Sequence, residues 1–198
     1  MVAKQTKPLK DRLIDATVRE IEKNGAENLS LRKIAADCGV THATAYKYFE
    51  NKQDLISVCR SRIAVRVHAY CKRAAHNAQE PYIAMCKAYL RYMVRYPHFH
   101  ALLHMSPLAK QNEDPVIRAF PERQHAAQRE MIRDFLRRCG IPEKERLPLI
   151  QMVSTLLNGL IAVLNSRTAV YEGSDITELV DVFVFNALKL RPKERPGA

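Results

Sequence analysis

The segment Thr41–Glu50 gathers hydrogen-bonding side chains at a density unusual for a plain solvated helix. Thr41, His42, Thr44, Tyr46, Lys47 and Tyr48 supply hydroxyl, imidazole and ammonium groups in close succession. Groups of this kind bond phosphate oxygens and the edges of bases. Tyr46 and Tyr48 cannot both face the same core side, so the pair is not read as core. The natural counterpart of such a surface is double-stranded DNA, whose major groove carries acceptors and donors in a base-specific order. The net charge of +11 points to an anionic partner as well. Its excess is divided almost evenly between residues 1–80 and 81–198, so charge by itself does not locate the surface.

Something must hold these groups on one exposed rod, and Leu31–Glu50 has the spacing of a helix-turn-helix. Ser30 stands at an N-cap position, with Lys33 rather than Glu at the box position, so a single cap is expected. A short helix Leu31–Cys38 follows. Ala35 is the small residue that lets two steeply crossed helices touch, and Gly39 tolerates the positive φ of a tight turn. Thr41 caps a second short helix, His42–Phe49, and Asn51 caps a longer one from Lys52 to His76. Ile34, Val40, Ala45 and Phe49 would lock the pair against a first helix, Leu9–Asn24. In that helix Leu9, Leu13, Thr17 and Ile21 recur every four residues, with Ile14 and Val18 beside them. Gly25 is suited to end it.

The run Gly39-Val40-Thr41-His42-Ala43-Thr44-Ala45-Tyr46-Lys47-Tyr48-Phe49-Glu50-Asn51-Lys52-Gln53-Asp54-Leu55 resembles the signature of the TetR family. The resemblance extends upstream through Leu29-Ser30-Leu31-Arg32-Lys33-Ile34-Ala35 and covers residues 9–60. Ala45 departs from it, since the family usually has Leu there. The resemblance implies that Ser30 and the start of the first short helix meet a phosphate. It implies that Arg32 and Lys33 lie near the groove edge, and that Thr41, His42 and Ala43 face bases. Thr44, Tyr46, Lys47, Tyr48 and Lys52 would hold phosphates. It further implies a larger C-terminal domain that dimerises and binds a small-molecule effector, acting by a population shift.

The rest of the chain fits that outline. Ala, Leu, Arg, Lys and Glu dominate long stretches, Gly and Pro are sparse at 6 and 10 residues, and no alternating strand pattern occurs. The expected fold is all-α with about nine helices. Residues 1–54 form the helix-turn-helix domain and residues 55–198 the sensing and dimerisation domain, in which Tyr82–Tyr96, His98–Lys110, Pro115–Cys139, Leu147–Leu164 and Ile176–Leu190 are helices. The last two are apolar on nearly every face, which calls for burial on all sides. A homodimer would bury Leu156, Leu160, Leu164, Leu179, Val182 and Phe183. The segment Tyr89–Leu102 resembles a pattern of TetR-like sensor domains. Candidate pocket residues are Tyr89, Met93, Phe99, Leu102, Leu103, Met105, Phe120, Met152 and Asn158. Met and aromatic residues at helical spacing equally suit a core. Asn158 in an apolar helix needs a hydrogen-bond partner, from a ligand or from the twin chain.

Other classes find little support. His100 and His104 share one helix face as zinc ligands can, with His98 nearby, but neither Cys nor paired carboxylate completes a set, and no metal or cofactor is expected. No G-x-S-x-G, P-loop, H-E-x-x-H or Rossmann glycine pattern occurs, so no enzyme is expected. The five scattered cysteines read as reduced thiols of a cytoplasmic protein. No leader is expected at the start, and no apolar stretch is expected to reach the ~18–20 residues that span a bilayer. The function expected is that of a DNA-binding regulator with a palindromic operator, most simply a repressor released by its effector. A ligand-dependent activator and a nonspecific DNA binder are the alternatives.

Overall fold

The computed structural model describes residues 7–106, 129–166 and 175–194, and all regular structure among them is helical. The expected Phe120 and most of the Pro115–Cys139 helix lie outside the described residues. Two compact units are present: Met1–Val65 with His98–Arg118, and Arg66–Pro97 with Ala119–Ala198.

The first unit is built on α1 (Leu9–Asn24), α2 (Leu31–Asp37), α3 (His42–Tyr46) and the opening half of α4 (Lys52–Ala75). Leu13, Ile14, Thr17, Val18 and Ile21 are buried, as the four-residue recurrence requires. Thr17 keeps its place by donating from Oγ1 to the Leu13 carbonyl at 2.8 Å. Ile34, Ala45, Phe49, Leu55, Ile56 and Ile63 complete the core, each worth up to about 1.5–3 kcal/mol of burial for the larger side chains. Val40 is half-buried instead of fully packed. The three expected caps are present. Ser30 Oγ accepts from Lys33 N at 3.4 Å, Thr41 Oγ1 from Thr44 N at 3.2 Å and Asn51 Oδ1 from Asp54 N at 2.9 Å. α3 is shorter than the expected His42–Phe49. Lys47 N and Tyr48 N bond three residues back, to Thr44 and Ala45 carbonyls, and this tightening turns Phe49 inward.

The α2–α3 turn passes through Gly39 at φ 71, with nothing within 4 Å of the position a Cβ would take. The turn is closed by Val40 N bonding the Ala35 carbonyl at 3.0 Å. α1 reaches across to the end of α2, where Arg12 Nη2 donates to the Cys38 carbonyl at 2.7 Å.

Residues 98–106 belong to this same unit. α6 (Pro97–His100) runs into a wide π-helical turn, Ala101–Met105. Phe99 and Leu102 are buried in the unit, and Arg60 Nη2 donates to the Leu103 carbonyl at 3.2 Å. The His98 ring lies over Gly25, where an added Cβ would stand 3.2 Å from Nδ1. The His100 and His104 ring centroids are 5.3 Å apart.

In the second unit, α5 (Pro81–Arg95) buries Tyr82, Ile83, Met85, Cys86, Leu90 and Met93. Residues 129–138 are helical and form α7, whose Phe135 packs on Tyr82 with centroids 5.0 Å apart. Arg138 ties this corner together. It donates to Glu80 at 2.8 Å, to Asp134 at 3.2 Å and to the Lys193 carbonyl at 2.9 Å. α8 (Glu143–Asn165) starts a turn earlier than the apolar run Leu147–Leu164 implied. Glu143 and Glu145 in its first turn favour the helix N-terminus and offset Pro148 within it. α8 also overturns the expectation that no stretch is long and apolar enough to cross a membrane. By length and composition this 23-residue helix is. Gln151, Ser154, Thr155 and Asn158 make it look broken in sequence, but no charged residue occurs between Leu147 and Ser166.

The expected helix Ile176–Leu190 divides into α9 (Glu178–Asp181) and a π-helical turn, Val182–Ala187. Leu188 N bonds the Phe183 carbonyl at 2.9 Å, and Lys189 follows at φ 53. Lys87–Asp181 at 2.6 Å and Arg91–Asp175 at 2.9 Å fasten this end to α5. The five cysteines are all free thiols, and Cys38, Cys59, Cys71 and Cys86 are buried. Burial pushes the Cys71 and Cys86 thiols up to about 12 and that of Cys139 to about 11.

Replacing Gly39 with Ala meets no steric obstacle, so the penalty is purely that of left-handed backbone. Gly39→Ala should lower stability by about 1 kcal/mol and Gly39→Asn by less, measured by urea unfolding. His104 is exposed, yet partial desolvation first and then His100 and Arg60 lower its pKa to about 4. The unfolded chain therefore binds more protons than the folded one below the ordinary histidine range near 6.5. Solvent screening keeps the effect small at this exposed ring, but its sign is set: stability should fall slightly as pH drops from about 6.5 towards 4. His104→Gln should flatten that limb in melting curves taken across the same window.

Candidate nucleic-acid interface

The helix-turn-helix leaves one side of α3 open. Thr41, His42, Ala43, Tyr46, Lys47 and Tyr48 are exposed, whereas Ala45 is fully buried. One helix thus separates into a supporting face and a presenting face. Tyr46 and Tyr48 keep 46% and 40% of their surfaces, which excludes both from the core. The fully buried Ala45 is the methyl on which α3 sits; the structure accommodates the small residue at this position.

The presenting groups are partly committed to each other. The Thr41 and Thr44 hydroxyls are 2.9 Å apart, and Thr41 also caps α3. The His42 and Tyr46 rings, one helical turn apart, meet nearly edge-on, with centroids 4.7 Å apart and planes at 74°. Lys47 and Arg32 are exposed cations of the same unit.

Two of the expected contact residues have local duties that sequence reasoning missed. Lys33 Nζ pairs with Glu20 Oε1 at 2.9 Å. That bond is the main reason the Glu20 carboxyl is lowered and the Lys33 ammonium raised from their ordinary values. Lys52 Nζ donates to the Glu27 carbonyl at 3.0 Å. Both ammonium groups are therefore anchored at the edge of the presenting side. Arg12, which secures α2 from behind, was not singled out either. These pairings join residues 13 to 26 positions apart and leave no periodic trace in the sequence.

The residues expected to line a pocket fall in two groups. Phe99, Leu102, Leu103 and Met105 belong to the first unit, while Tyr89, Met93, Met152 and Asn158 belong to the second. Met93, Phe99 and Leu102 are buried, but Met105 and Met152 are exposed at 64% and 41%. Asn158 finds its partner within the chain: Tyr89 Oη donates to Asn158 Oδ1 at 3.1 Å, and its own amide donates to the Ser154 carbonyl. A small, shallow apolar recess in the second unit is lined by Val153, Leu156, Leu157, Val180, Phe183, Val184 and Leu188, none of them among the expected pocket residues. Of the residues expected at a dimer interface, Leu156, Leu160, Leu164, Leu179 and Phe183 are half-buried and Val182 is exposed. Among the described residues, no group of three or more His, Cys, Asp or Glu side chains is arranged to hold a metal.

Residues 13–59 match the family described as Bacterial regulatory proteins, tetR family. Over 53 residues the chain is 42% identical to the Fatty acid metabolism regulator protein of Bacillus subtilis (strain 168), a match that covers 27% of either protein. Among solved structures, the chain is similar to the fatty acid degradation regulator FadR from Bacillus halodurans, with TM-score 0.61 and 20% identity over 96% of this chain and 100% of that one. It is equally similar to a TetR family transcription regulator from Marinobacter aquaeolei VT8, with TM-score 0.61 and 20% identity over 87% and 91%. At such identities the structural likeness concerns the fold. The likeness in sequence to the tetR family of bacterial regulatory proteins is thus carried by the helix-turn-helix segment at residues 13–59.

Proposed function

We propose that this protein is a sequence-specific transcription regulator that binds a palindromic DNA operator as a homodimer and, as a repressor, is released by a small-molecule effector. The observation that carries this reading is α3: a helix with one buried face and an opposite face made of Thr41, His42, Ala43, Tyr46 and Lys47. In a major groove, His42 and Ala43 lie nearest the bases, with the Ala43 methyl suited to a thymine methyl. Ser30, Arg32, Lys33, Thr44, Lys47, Tyr48 and Lys52 serve the phosphates on either side. The half-exposed apolar residues Leu156, Leu160, Leu164, Leu179, Val182 and Phe183 supply the contact between protomers, which accounts for α8 without a bilayer. The protein then works in the cytoplasm, without enzymatic activity. Two similar proteins are named as regulators of fatty acid metabolism or degradation, so fatty-acyl compounds are the first effector class to screen.

Release follows from differential affinity: an effector weakens DNA binding only as far as it favours the form that binds DNA less well. Two recognition helices read half-sites about 34–36 Å apart. The test is selection of bound duplexes from a random pool at physiological salt, followed by affinity measurements. A two-fold palindrome bound ~10³-fold above random DNA is expected. Lys47→Ala should weaken all sequences alike and reduce the slope of log affinity against log salt by about 1. Enrichment of no motif, with affinity that only tracks salt, would replace this reading with a nonspecific binder, the alternative favoured by the net charge of +11.

A further inference from the structure

We propose that Tyr46 is a positioning residue for His42, fixing the imidazole so that an N–H of the ring meets a purine N7 in the major groove. The inference rests on the DNA-binding reading above and assigns Tyr46 a task other than the phosphate contact its place in the family signature implies. Its basis is the arrangement of α3. His42 and Tyr46 are four residues apart, so they lie on one face a turn from each other. Their rings are in contact at 4.7 Å between centroids and are nearly perpendicular, the edge-on geometry aromatic rings prefer. Both are on the presenting side, with Ala45 buried behind them.

The neighbouring hydroxyls do not compete for the same role. Thr41 and Thr44 are bonded to each other and to the start of α3. His42 therefore brings the planar donor at the front of the helix, and an unsupported imidazole there would sample several rotamers. Resting it against the Tyr46 ring removes that freedom before DNA is met, which is the general advantage of preorganisation. An N–H donor at the outer edge of the groove finds an acceptor in either purine at N7, whereas at that edge thymine presents its C5-methyl group, with O4 set further in, and cytosine offers no acceptor at all. A phosphate contact carries no base information, so the two possible tasks of Tyr46 give different results.

The experiment uses the full chain and selection from a random duplex pool, with His42→Ala, Tyr46→Leu and Tyr46→Phe beside the unaltered protein. Tyr46 is exposed, so equal helical content and melting temperature are expected for all of them. His42→Ala should erase a purine preference at one position in each half-site, by about tenfold. Tyr46→Leu should lose most of that same preference and leave the other positions unchanged. Tyr46→Phe, which retains the ring without the hydroxyl, should keep the preference within about twofold. Uniform weakening by Tyr46→Leu with the base preference intact would overturn the proposal. So would a Tyr46→Phe variant as impaired as Tyr46→Leu, because the hydroxyl would then be the working group. If the unaltered protein enriches no motif, the regulator reading fails and this inference with it. If it enriches a motif that His42→Ala leaves unchanged, only the inference fails.

Discussion

The left-handed backbone at Gly39 is the constraint on which the exposed face of α3 depends. It lets α2 and α3 cross closely enough for Ala35 and Ala45 to be fully buried, and it brings Val40 N onto the Ala35 carbonyl. With the turn set in this way, α3 has only one face left to present. α3 is short, ending at Tyr46, and a helix of that length has little stability of its own. Its rigidity is borrowed from the caps at Thr41 and Asn51, from Phe49 turned into the core and from Arg12 behind α2.

The second unit solves a different problem. Its core faces are packed, yet α8 carries more apolar surface than one copy of the unit covers: Val153, Leu157 and Ile161 are buried while Leu147, Met152 and Val163 are exposed. The polar ties are gathered at its periphery. Arg138 holds the start of α5, α7 and the Lys193 backbone together, while Arg91 holds Asp175 ahead of α9 and Lys87 holds Asp181 at its end. Specific pairs at the edges thus orient helices whose apolar surfaces would otherwise slide, since hydrophobic contact has no direction of its own.

What could be read from residue order follows the range of the interaction. The caps at Ser30, Thr41 and Asn51, the glycine turn and the buried stripe of α1 are local or periodic, and each was legible. The exposure of Tyr46 and Tyr48 followed from the impossibility of burying neighbours on opposite sides. Four things were not legible. The pairing of Lys33 with Glu20 and of Lys52 with the Glu27 carbonyl depends on how helices are brought together. The inclusion of residues 98–106 in the first unit is a tertiary choice, made by Phe99 and Leu102 and by Arg60 on the Leu103 carbonyl. The π-helical turns at Ala101–Met105 and Val182–Ala187 share the residue preferences of ordinary helix, so composition does not distinguish them. Pocket residues were the hardest case, because a Met in a core and a Met at the surface have the same spacing; Met93 is buried and Met152 exposed.

The cysteines give the fold a chemical signature. A thiol attacks alkylating reagents and disulfides only as thiolate, and burial keeps Cys71 and Cys86 protonated far above neutral pH. Cys38 and Cys59 are shifted in the same direction by the same cause. Four sulfurs distributed over both units are thereby protected by packing alone, without a disulfide among them. Opening of either unit converts silent thiols into reactive ones, so the rate at which each cysteine is alkylated reports the local opening of the segment that contains it.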